Sequence, residues 1–505
     1  MALVVLIGAS GAGKSTFAAA HFAPTQVLSS DACRGMVADD ENDQSASGDA
    51  FDVLHYIAGK RLAAGRITVV DATNVQPDVR ARLVTLAREH HVLPVAIVLD
   101  IPESVCRQRN AERPDRDHGP HVVRRQAADL RRSLKFLAKE GFRRVHVLRT
   151  AEDIAAARIV VEPLRNDLRG ETGPFDVIGD VHGCRAELET LLEKLGYVLA
   201  TDERNRPVSA HHPDGRRAVF VGDLVDRGPD TPGVLRLVMG MVAAGDALAV
   251  AGNHERKLVR ALRGRNVQVT HGLAESLAQL TAEPDEFRAR VTEFCDELIA
   301  HYVLDGGRLV VAHAGLPEPY HGRASGRVRS FALYGDTTGE TDEYGLPIRY
   351  PWATEYRGRA TVLYGHTPVP DAEWVNNTMC LDTGCVFGGA LTALRYPERD
   401  VVSVPAQRVW YEPVRPLRPV EPTNRPTRRE PDVLDLADVA GRRTVETEHH
   451  GRITVRAEQA AAALEVMSRF AVDPRWLLYL PPTMAPTATS SRPDLLEHPV
   501  DAFAG

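Results

Sequence analysis

At 505 residues, with 44% hydrophobic and 26% charged residues, the chain has the length for about two to four domains and an ordinary globular composition. A formal net charge of −7 excludes a basic nucleic-acid coat, so any nucleic-acid contact must come from local patches. No apolar run approaches the roughly 20 residues of a membrane span, and six cysteines (33, 106, 184, 295, 380, 385) without CxxC pairs read as reduced thiols of a cytoplasmic protein.

The apolar start, Ala2 to Ile7, lacks a basic n-region and leads straight into a glycine loop, so it reads as a strand and not as a secretory signal. Gly8-Ala9-Ser10-Gly11-Ala12-Gly13-Lys14-Ser15 fits G-x-x-x-x-G-K-[ST], with a helix continuing from Thr16 toward His21. Glycines there let backbone N–H groups turn inward and cradle phosphate oxygens. Gly8, Ser10, Gly11, Gly13 and Thr16 are the expected cradle. Lys14 is expected at the β- and γ-phosphates, and the Ser15 hydroxyl on Mg²⁺.

Val27 to Asp31 reads as a second strand ending in an acid, with Arg34 one helical turn later. Asp31 can accept a proton from an attacking hydroxyl, and Arg34 can hold an acceptor phosphate. The bland alternative is that Ser30 or Asp31 caps the helix. Ile67 to Val70 and Pro94 to Leu99 are the third and fourth strands. Arg107 to Arg149 then holds 13 Arg plus Lys against 5 Asp plus Glu. Within it Pro114 breaks a helix between Arg113 and Arg116, which suits a lid closing on a transferring phosphate; Arg107, Arg109 and Arg124 are also available.

These features resemble the 5′-hydroxyl polynucleotide kinase domain of the P-loop phosphotransferases, here over residues 1–165. The resemblance implies an α/β domain with a parallel sheet and flanking helices, and ATP or another NTP with Mg²⁺ as phosphate donor. It makes Asp31 the general base, Arg34 a contact to the acceptor phosphate, and Arg113 and Arg116 lid residues.

Arg165 to Gly173 reads as a linker, and a second module spans 170–411. Three signatures organise it: Asp180-Val181-His182-Gly183, Gly222-Asp223-Leu224-Val225-Asp226-Arg227-Gly228 and Gly252-Asn253-His254-Glu255. Each follows a short apolar run (Phe175 to Ile178, Ala218 to Val221, Ala247 to Ala251) that reads as a buried strand. Asp, His and Asn donors gathered at strand ends suit a pair of divalent metals with one shared Asp. Arg256 to Gly264 and Glu275 to Leu304 read as helical. Two further strands, Leu309 to Ala312 and Thr361 to Tyr364, end in His313 and Gly365-His366, and Thr378 to Asp382 runs into Thr383-Gly384-Cys385.

The triple signature resembles the binuclear metallophosphoesterases, in particular the branch containing the protein Ser/Thr phosphatases. That implies an αββα sandwich in which Asp180 and His182 bind one metal, Asp223 bridges, and Asn253, His313 and His366 bind the second. Arg227 would clamp the non-bridging phosphate oxygens, His254 would be the general acid oriented by Asp226, and Asp382 an outer or extra ligand. Donors without thiolate favour Mn²⁺, or a similar ion such as Ni²⁺, over a structural zinc.

The two modules in this order resemble the bacterial polynucleotide kinase-phosphatase family of RNA repair. That implies RNA ends as substrate, with DNA ends as the alternative. The 5′-hydroxyl would be phosphorylated and the 2′,3′-cyclic, 2′- or 3′-phosphate removed. A homodimer contact and an RNA 3′-end methyltransferase are the partners implied. A rival reading is a protein or dinucleoside-polyphosphate phosphatase with a nucleotide-regulated P-loop domain; another is a non-enzymatic scaffold.

From 412 to 457, prolines at 413, 416, 419, 422, 426 and 431 interleave with arginines at 415, 418, 425, 428 and 429, an extended linker pattern. Glu458 to Phe470 reads as an amphipathic helix, followed by the apolar run Trp476 to Leu480. Residues 458–505 resemble the opening of the same family's ATP-dependent ligase-type domain. No K-x-[DNHQ]-G motif follows, so no adenylyl transfer is expected.

Overall fold

A computed structural model describes residues 2–112, 119–417, 444–447 and 451–454. Met1–Arg418 forms one compact unit and Pro419–Gly505 a second. The lid arginines Arg113 and Arg116, most of the linker, and the 458–505 segment lie outside the described residues. Among the described residues no helix is long and apolar enough to cross a membrane.

The first unit opens with β1 (Ala2–Ile7), α1 (Lys14–His21), β2 (Val27–Ser29), α2 (Ser30–Ala38), α3 (Ser47–Ala63) and β3 (Thr68–Asp71). Then come α4 (Pro77–Glu89), β4 (Leu93–Leu99), α5 (Glu103–Ala111), α6 (Pro120–Ser133), β5 (Arg144–Leu148) and α7 (Ala151–Ala156). The five strands form a sheet in the order β2-β3-β1-β4-β5, every pair parallel. Strand β1 is central, and its continuous apolar run Leu3–Ile7 is buried throughout, as a strand covered on both faces requires. Register puts Asp71 of β3 opposite both Leu6 and Ser29. The glycine loop, the loop after Asp71 and the start of α2 therefore share the carboxyl edge of the sheet, where open α/β sheets bind ligands.

The second strand ends earlier than its sequence suggests. Ser29, rather than Ser30 or Asp31, is the cap of α2, its hydroxyl accepting from Asp31 N at 3.2 Å and Ala32 N at 3.4 Å. Asp31 thus stands in the first helical turn.

The second module begins with β6 (Asp167–Leu168), β7 (Phe175–Ile178), α8 (Arg185–Leu195), β8 (Val198–Thr201), β9 (Pro207–His211), β10 (Arg217–Phe220) and α9 (Thr231–Ala244). It continues with β11 (Ala247–Ala249), α10 (Asn253–Leu262), α11 (Leu273–Thr281), α12 (Asp285–Glu297), β12 (His301–Leu304), β13 (Leu309–Ala312) and α13 (Gly326–Tyr334). A hairpin of β14 (Thr337–Thr341) and β15 (Pro347–Arg349), then α14 (Trp352–Glu355), β16 (Thr361–Tyr364), β17 (Trp374–Val375), β18 (Thr378–Cys380), β19 (Ala390–Tyr396) and β20 (Asp400–Pro405) complete it.

Two sheets, β11-β10-β7-β19-β20 and β17-β18-β16-β13-β12-β6, pack face to face through Phe175, Val177, Val219 and Val221 of one and Leu309, Val311, Leu363 and Met379 of the other. Helices α8 and α9 cover the outer face of the first sheet, and α13 and α14 that of the second. This is the αββα sandwich. Three local readings are corrected. Residues 301–304 are a strand, not helix, because the Tyr-Val-Leu run pairs antiparallel with β13. Helix α10 starts at Asn253 instead of Arg256. Part of the 165–173 segment is an edge strand, β6, paired to β12.

The described part of the second unit is one antiparallel hairpin, β21 (Thr444–Thr447) with β22 (Gly451–Thr454).

Candidate functional site

The metal signatures converge at the strand ends of the sandwich. Asp180, His182, Asp223, Asp226, His254, His313 and Asp382 are all buried. The backbone is bent to do this: His182, Asp223, Asp226, Arg227 and His366 all have positive φ, between 45° and 75°. Non-glycine residues rarely adopt such values, and where they cluster the fold is holding strain at a site.

Two side-chain triads share one carboxylate. His182, Asp223 and His254 form the first, and Asp223, His313 and His366 the second, each with its donor atoms within 4.8 Å of one another. His313 Nε2 is 3.3 Å from Asp223 Oδ2, and His182 Nε2 is 3.7 Å from it. Asn253 Oδ1 lies 2.9 Å from His313 Nε2 and 2.9 Å from His366 Nδ1. Asp180 joins from β7, its Oδ2 accepting from His366 N at 3.0 Å. Gly365 makes that approach possible, since a Cβ there would fall 1.8 Å from Asp180 Oδ1.

The imidazoles are set in the form that ligates. His182 Nδ1 lies 2.8 Å from Val225 O and His313 Nδ1 3.0 Å from Val221 O. Donating to those carbonyls leaves each Nε2 with its lone pair toward the centre. Arg227 Nη1 already donates to His182 Nε2, at 2.7 Å. His254 faces Asp226 instead, Nδ1 to Oδ2 at 2.6 Å.

The electrostatics match a centre built around added positive charge. Burial, with Asp382 and Asp223 nearby, pushes the Asp180 carboxyl well above the usual carboxylate range. Burial likewise raises Asp382 to about 6. Burial and the Arg227 charge push His182 well down, and burial and His313 do the same to His366. Asp223 goes the other way: burial alone would raise it, but the surrounding His313, His254 and His182 hold it well below its ordinary value. Asp180 Oδ1 and His366 Nε2 are buried without a hydrogen-bond partner, an expensive arrangement for polar atoms. Carboxylate, imidazole and amide donors with lone pairs aimed inward fit a pair of divalent cations, and Asp223 belongs to both donor groups.

One contributor was not assigned a role from its motif. Glu255, fully buried, accepts from Leu224 N at 2.7 Å, Asp223 N at 3.0 Å and Gly252 N at 2.8 Å. It ties the second and third signatures together, and burial beside Asp223 raises its carboxyl to about 7. Its position as the last residue of Gly252-Asn253-His254-Glu255 was the available signal.

In the first module, the glycine loop is held from three directions. Gly8 N donates to Thr73 O at 3.0 Å, Asn74 Nδ2 to Leu6 O at 2.8 Å, and Ser10 N to Gln126 Oε1 at 2.8 Å. Gly11 has φ 82°, and a Cβ there would come within 2.2 Å of Cys106 O. Lys14 is buried, its Nζ donating to Gly8 O and Ala9 O, both at 3.0 Å, so its charge sits under the loop. Ser15 and Thr16 are exposed in the first turn of α1. Asp31 and Arg34 are brought together as an ion pair. Arg34 is buried and also donates to Glu41 O at 2.8 Å. Of the other arginines in the basic segment, Arg109 reaches the loop: a Cβ on Gly13 would lie 3.7 Å from its Nη1.

Three known families match separate parts of the chain. The family described as calcineurin-like phosphoesterase matches residues 173–402. One described as AAA domain matches residues 3–137, and one described as PNKP adenylyltransferase domain, ligase domain, matches residues 462–505. The bis(5′-nucleosyl)-tetraphosphatase PrpE of Anoxybacillus flavithermus is 48% identical over 236 residues, covering 46% of this chain and 94% of that protein. The protein of the same name from Geobacillus thermodenitrificans is 49% identical over the same shares. Among solved structures, a protein serine/threonine phosphatase from Saccharomyces cerevisiae aligns with a TM-score of 0.35 at 16% identity, over 49% of this chain and 85% of that one.

Proposed function

Because the chain belongs, through residues 173–402, to the calcineurin-like phosphoesterases, we propose that it is a nucleic-acid end-healing enzyme acting on RNA. Its phosphoesterase module clears 2′,3′-cyclic, 2′- or 3′-phosphate, and its P-loop module phosphorylates the 5′-hydroxyl. One observation carries the reading: a P-loop segment, a phosphoesterase segment and a match to the PNKP ligase domain occur in that order in one chain. A phosphatase for soluble nucleotides accounts for the middle segment alone.

In the phosphoesterase, Asp180, His182, Asp223, Asn253, His313 and His366 would hold two divalent cations, Mn²⁺ or a similar ion, with Asp382 beside them. When bound, the cations supply charge neutralisation and a water of lowered pKa. The chain's own groups do the rest. Arg227, beside His182, holds the non-bridging oxygens of the phosphate. His254 donates Nδ1–H to Asp226; as the imidazolium that this carboxylate supports, it also carries a proton on Nε2, facing the centre, and gives that proton to the leaving oxygen. In the P-loop module, Lys14 and the loop amides would hold the donor phosphates of ATP, and the Ser15 hydroxyl would bind Mg²⁺, whose charge offsets that of the phosphates. Asp31 takes the proton of the 5′-hydroxyl, Arg34 orients Asp31 and the acceptor phosphate, and Arg109 offsets charge on the transferring group.

A second reading has its own support: the tetraphosphatases are nearly half identical to the phosphoesterase module over almost their whole length. There the substrate is a dinucleoside tetraphosphate and the P-loop module senses nucleotide. The deciding experiment uses an RNA oligonucleotide with a 5′-hydroxyl and a 2′,3′-cyclic phosphate, incubated with ATP, Mg²⁺ and Mn²⁺. Wild type should convert both ends, Asp31→Ala should lose only 5′-phosphorylation, and Asp223→Ala only 3′-end clearing. If wild type leaves both ends unchanged and hydrolyses dinucleoside tetraphosphate, the second reading replaces the first.

A further inference from the structure

The β14–β15 hairpin carries features that neither the metal centre nor its fold requires. Both of its feet stand on the loop that bears His313. On the leading side, Ala314 N donates to Ala332 O near the end of α13, at 2.7 Å. On the trailing side, Trp352 packs so closely on Gly315 that a Cβ there would lie 1.9 Å from the indole ring. Trp352 N donates to Tyr350 O at 2.8 Å, and Tyr350 N to Asp336 O at 2.9 Å, so the base of the arm is closed and fixed.

At that base, Arg349 pairs across the hairpin with Thr337 and donates from Nη1 to Tyr334 O. It is half-buried, and among the described residues no carboxylate is paired with it. The acid at the base of the arm, Asp336, is taken by Arg327. Desolvating a guanidinium without a counter-ion is costly unless an anion visits. Gly335, the residue after Tyr334, lies against the loop of His313: a Cβ on it would come 3.9 Å from Ala314 Cβ. Arg349 therefore stands on the His313 side of the centre, and Arg227 on the other, where it donates to His182 Nε2. Around Arg349, the end of α13 exposes Tyr334 (44%) and the arm exposes Tyr344 (44%), Ile348 (38%) and Tyr350 (41%). Rings left in solvent beside a phosphate site suit stacking against a base.

We propose that this arm is a nucleotide-recognition element in which Arg349 binds the phosphate next to the scissile one and the exposed tyrosines receive the attached nucleoside. The inference rests on the nucleotide-terminated substrates of the proposed function and adds how the site would select them over simple phosphate esters. The shared chemistry is a second phosphate bearing a nucleoside, whether from a nucleic-acid strand or from a polyphosphate chain.

The test measures kcat and KM for a 2′,3′-cyclic-phosphate oligonucleotide, a dinucleoside tetraphosphate and p-nitrophenyl phosphate with Mn²⁺-loaded wild type, Arg349→Gln, Arg349→Lys and Tyr350→Ala. Arg349→Gln should lower kcat/KM for the nucleotide substrate relative to p-nitrophenyl phosphate by about tenfold or more, with the loss in KM and part of it restored in Arg349→Lys. Tyr350→Ala, which keeps the charge, should lower the same ratio. A selective loss on the oligonucleotide assigns the arm to a strand, and one on the tetraphosphate assigns it to a polyphosphate chain. An equal loss on all three substrates, or none on any, overturns the assignment. Wild type inactive on both nucleotide substrates refutes the functional reading and the arm with it, whereas an unchanged ratio in an active enzyme refutes the arm alone.

Discussion

His254 Nδ1 lies 2.6 Å from Asp226 Oδ2, with both side chains buried. Asp226 is itself held, its N donating to Ser276 Oγ at 2.9 Å and its φ at 70°. A carboxylate so placed fixes one proton on Nδ1 and supports the imidazolium, whose second proton, on Nε2, faces the centre. Asp226→Asn should therefore lower kcat by about 100-fold on an alkyl or nucleoside phosphate ester. The loss should shrink for p-nitrophenyl phosphate, whose leaving group needs no proton. Steady-state kinetics on the two esters checks this; equal losses would mean that Asp226 serves only the fold.

Metal loading should be strongly pH-dependent. Asp382, raised by burial to about 6, and Asp180, raised well above the ordinary range, both hold protons in the cation-free protein at mildly acidic pH. A cation must displace those protons, so its apparent affinity falls as the pH drops through about 6, where Asp382 takes up its proton, by up to about tenfold per pH unit for each proton displaced. Mn²⁺ added to chelator-treated protein at pH 5.5 should release protons in calorimetry performed in two buffers of different ionisation enthalpy. Loading should also raise Tm more at pH 7.5 than at pH 5.5. A pH-independent affinity would contradict this set of ligands.

Gly365 is a point where one methyl group decides the site. Its Cβ would fall 1.8 Å from Asp180 Oδ1 and 3.0 Å from Val221 Cγ2. Gly365→Ala should reduce phosphoesterase activity by about 100-fold or more through displaced Asp180, since misplacement by about 1 Å already costs on that order. The 5′-kinase reaction of the same preparation should persist, which separates a local effect from unfolding.

How much of this was legible in the sequence follows from how local each determinant is. The run Leu3–Ile7 with the glycine spacing after it announces a strand, a loop and a helix without help from elsewhere. The same holds for the apolar run before Asp180 and before Asp223. What was missed is non-local. Residues 301–304 become strand because β13 pairs with them and Asn166 Nδ2 lies 2.8 Å from His301 Nε2. Ser29 displaces Ser30 and Asp31 as helix cap because β2 stops once its partner β3 does, at Asp71. Glu255 is a clamp only because two loops far apart in the chain offer it their amides. The β14–β15 arm has no sequence pattern beyond scattered tyrosines. Its closeness to the centre comes from Trp352 packing on Gly315.

Arg113 and Arg116 lie outside the described residues; among the described arginines of the basic segment, Arg109 and Arg107 stand differently toward the glycine loop. Arg109 stands on α5, whose first turns pack under the loop through Cys106, and its Nη1 reaches the Gly13 end of the cradle. Arg107 instead pairs with Glu103 at 3.7 Å and is more than half exposed. A guanidinium beside Gly13 is placed to meet the donor phosphates as charge develops on them, and removing one such donor costs about 100- to 1,000-fold in kcat. Arg109→Ala should thus depress 5′-phosphorylation by that order, Arg107→Ala by less than about twofold, because an exposed ion pair contributes little. Neither change should alter 3′-end clearing. Radiolabel transfer from ATP to a 5′-hydroxyl oligonucleotide measures all of this in one assay. If Arg107→Ala proves the more damaging of the two, α5 turns its other face to the nucleotide and the placement of Arg109 is wrong.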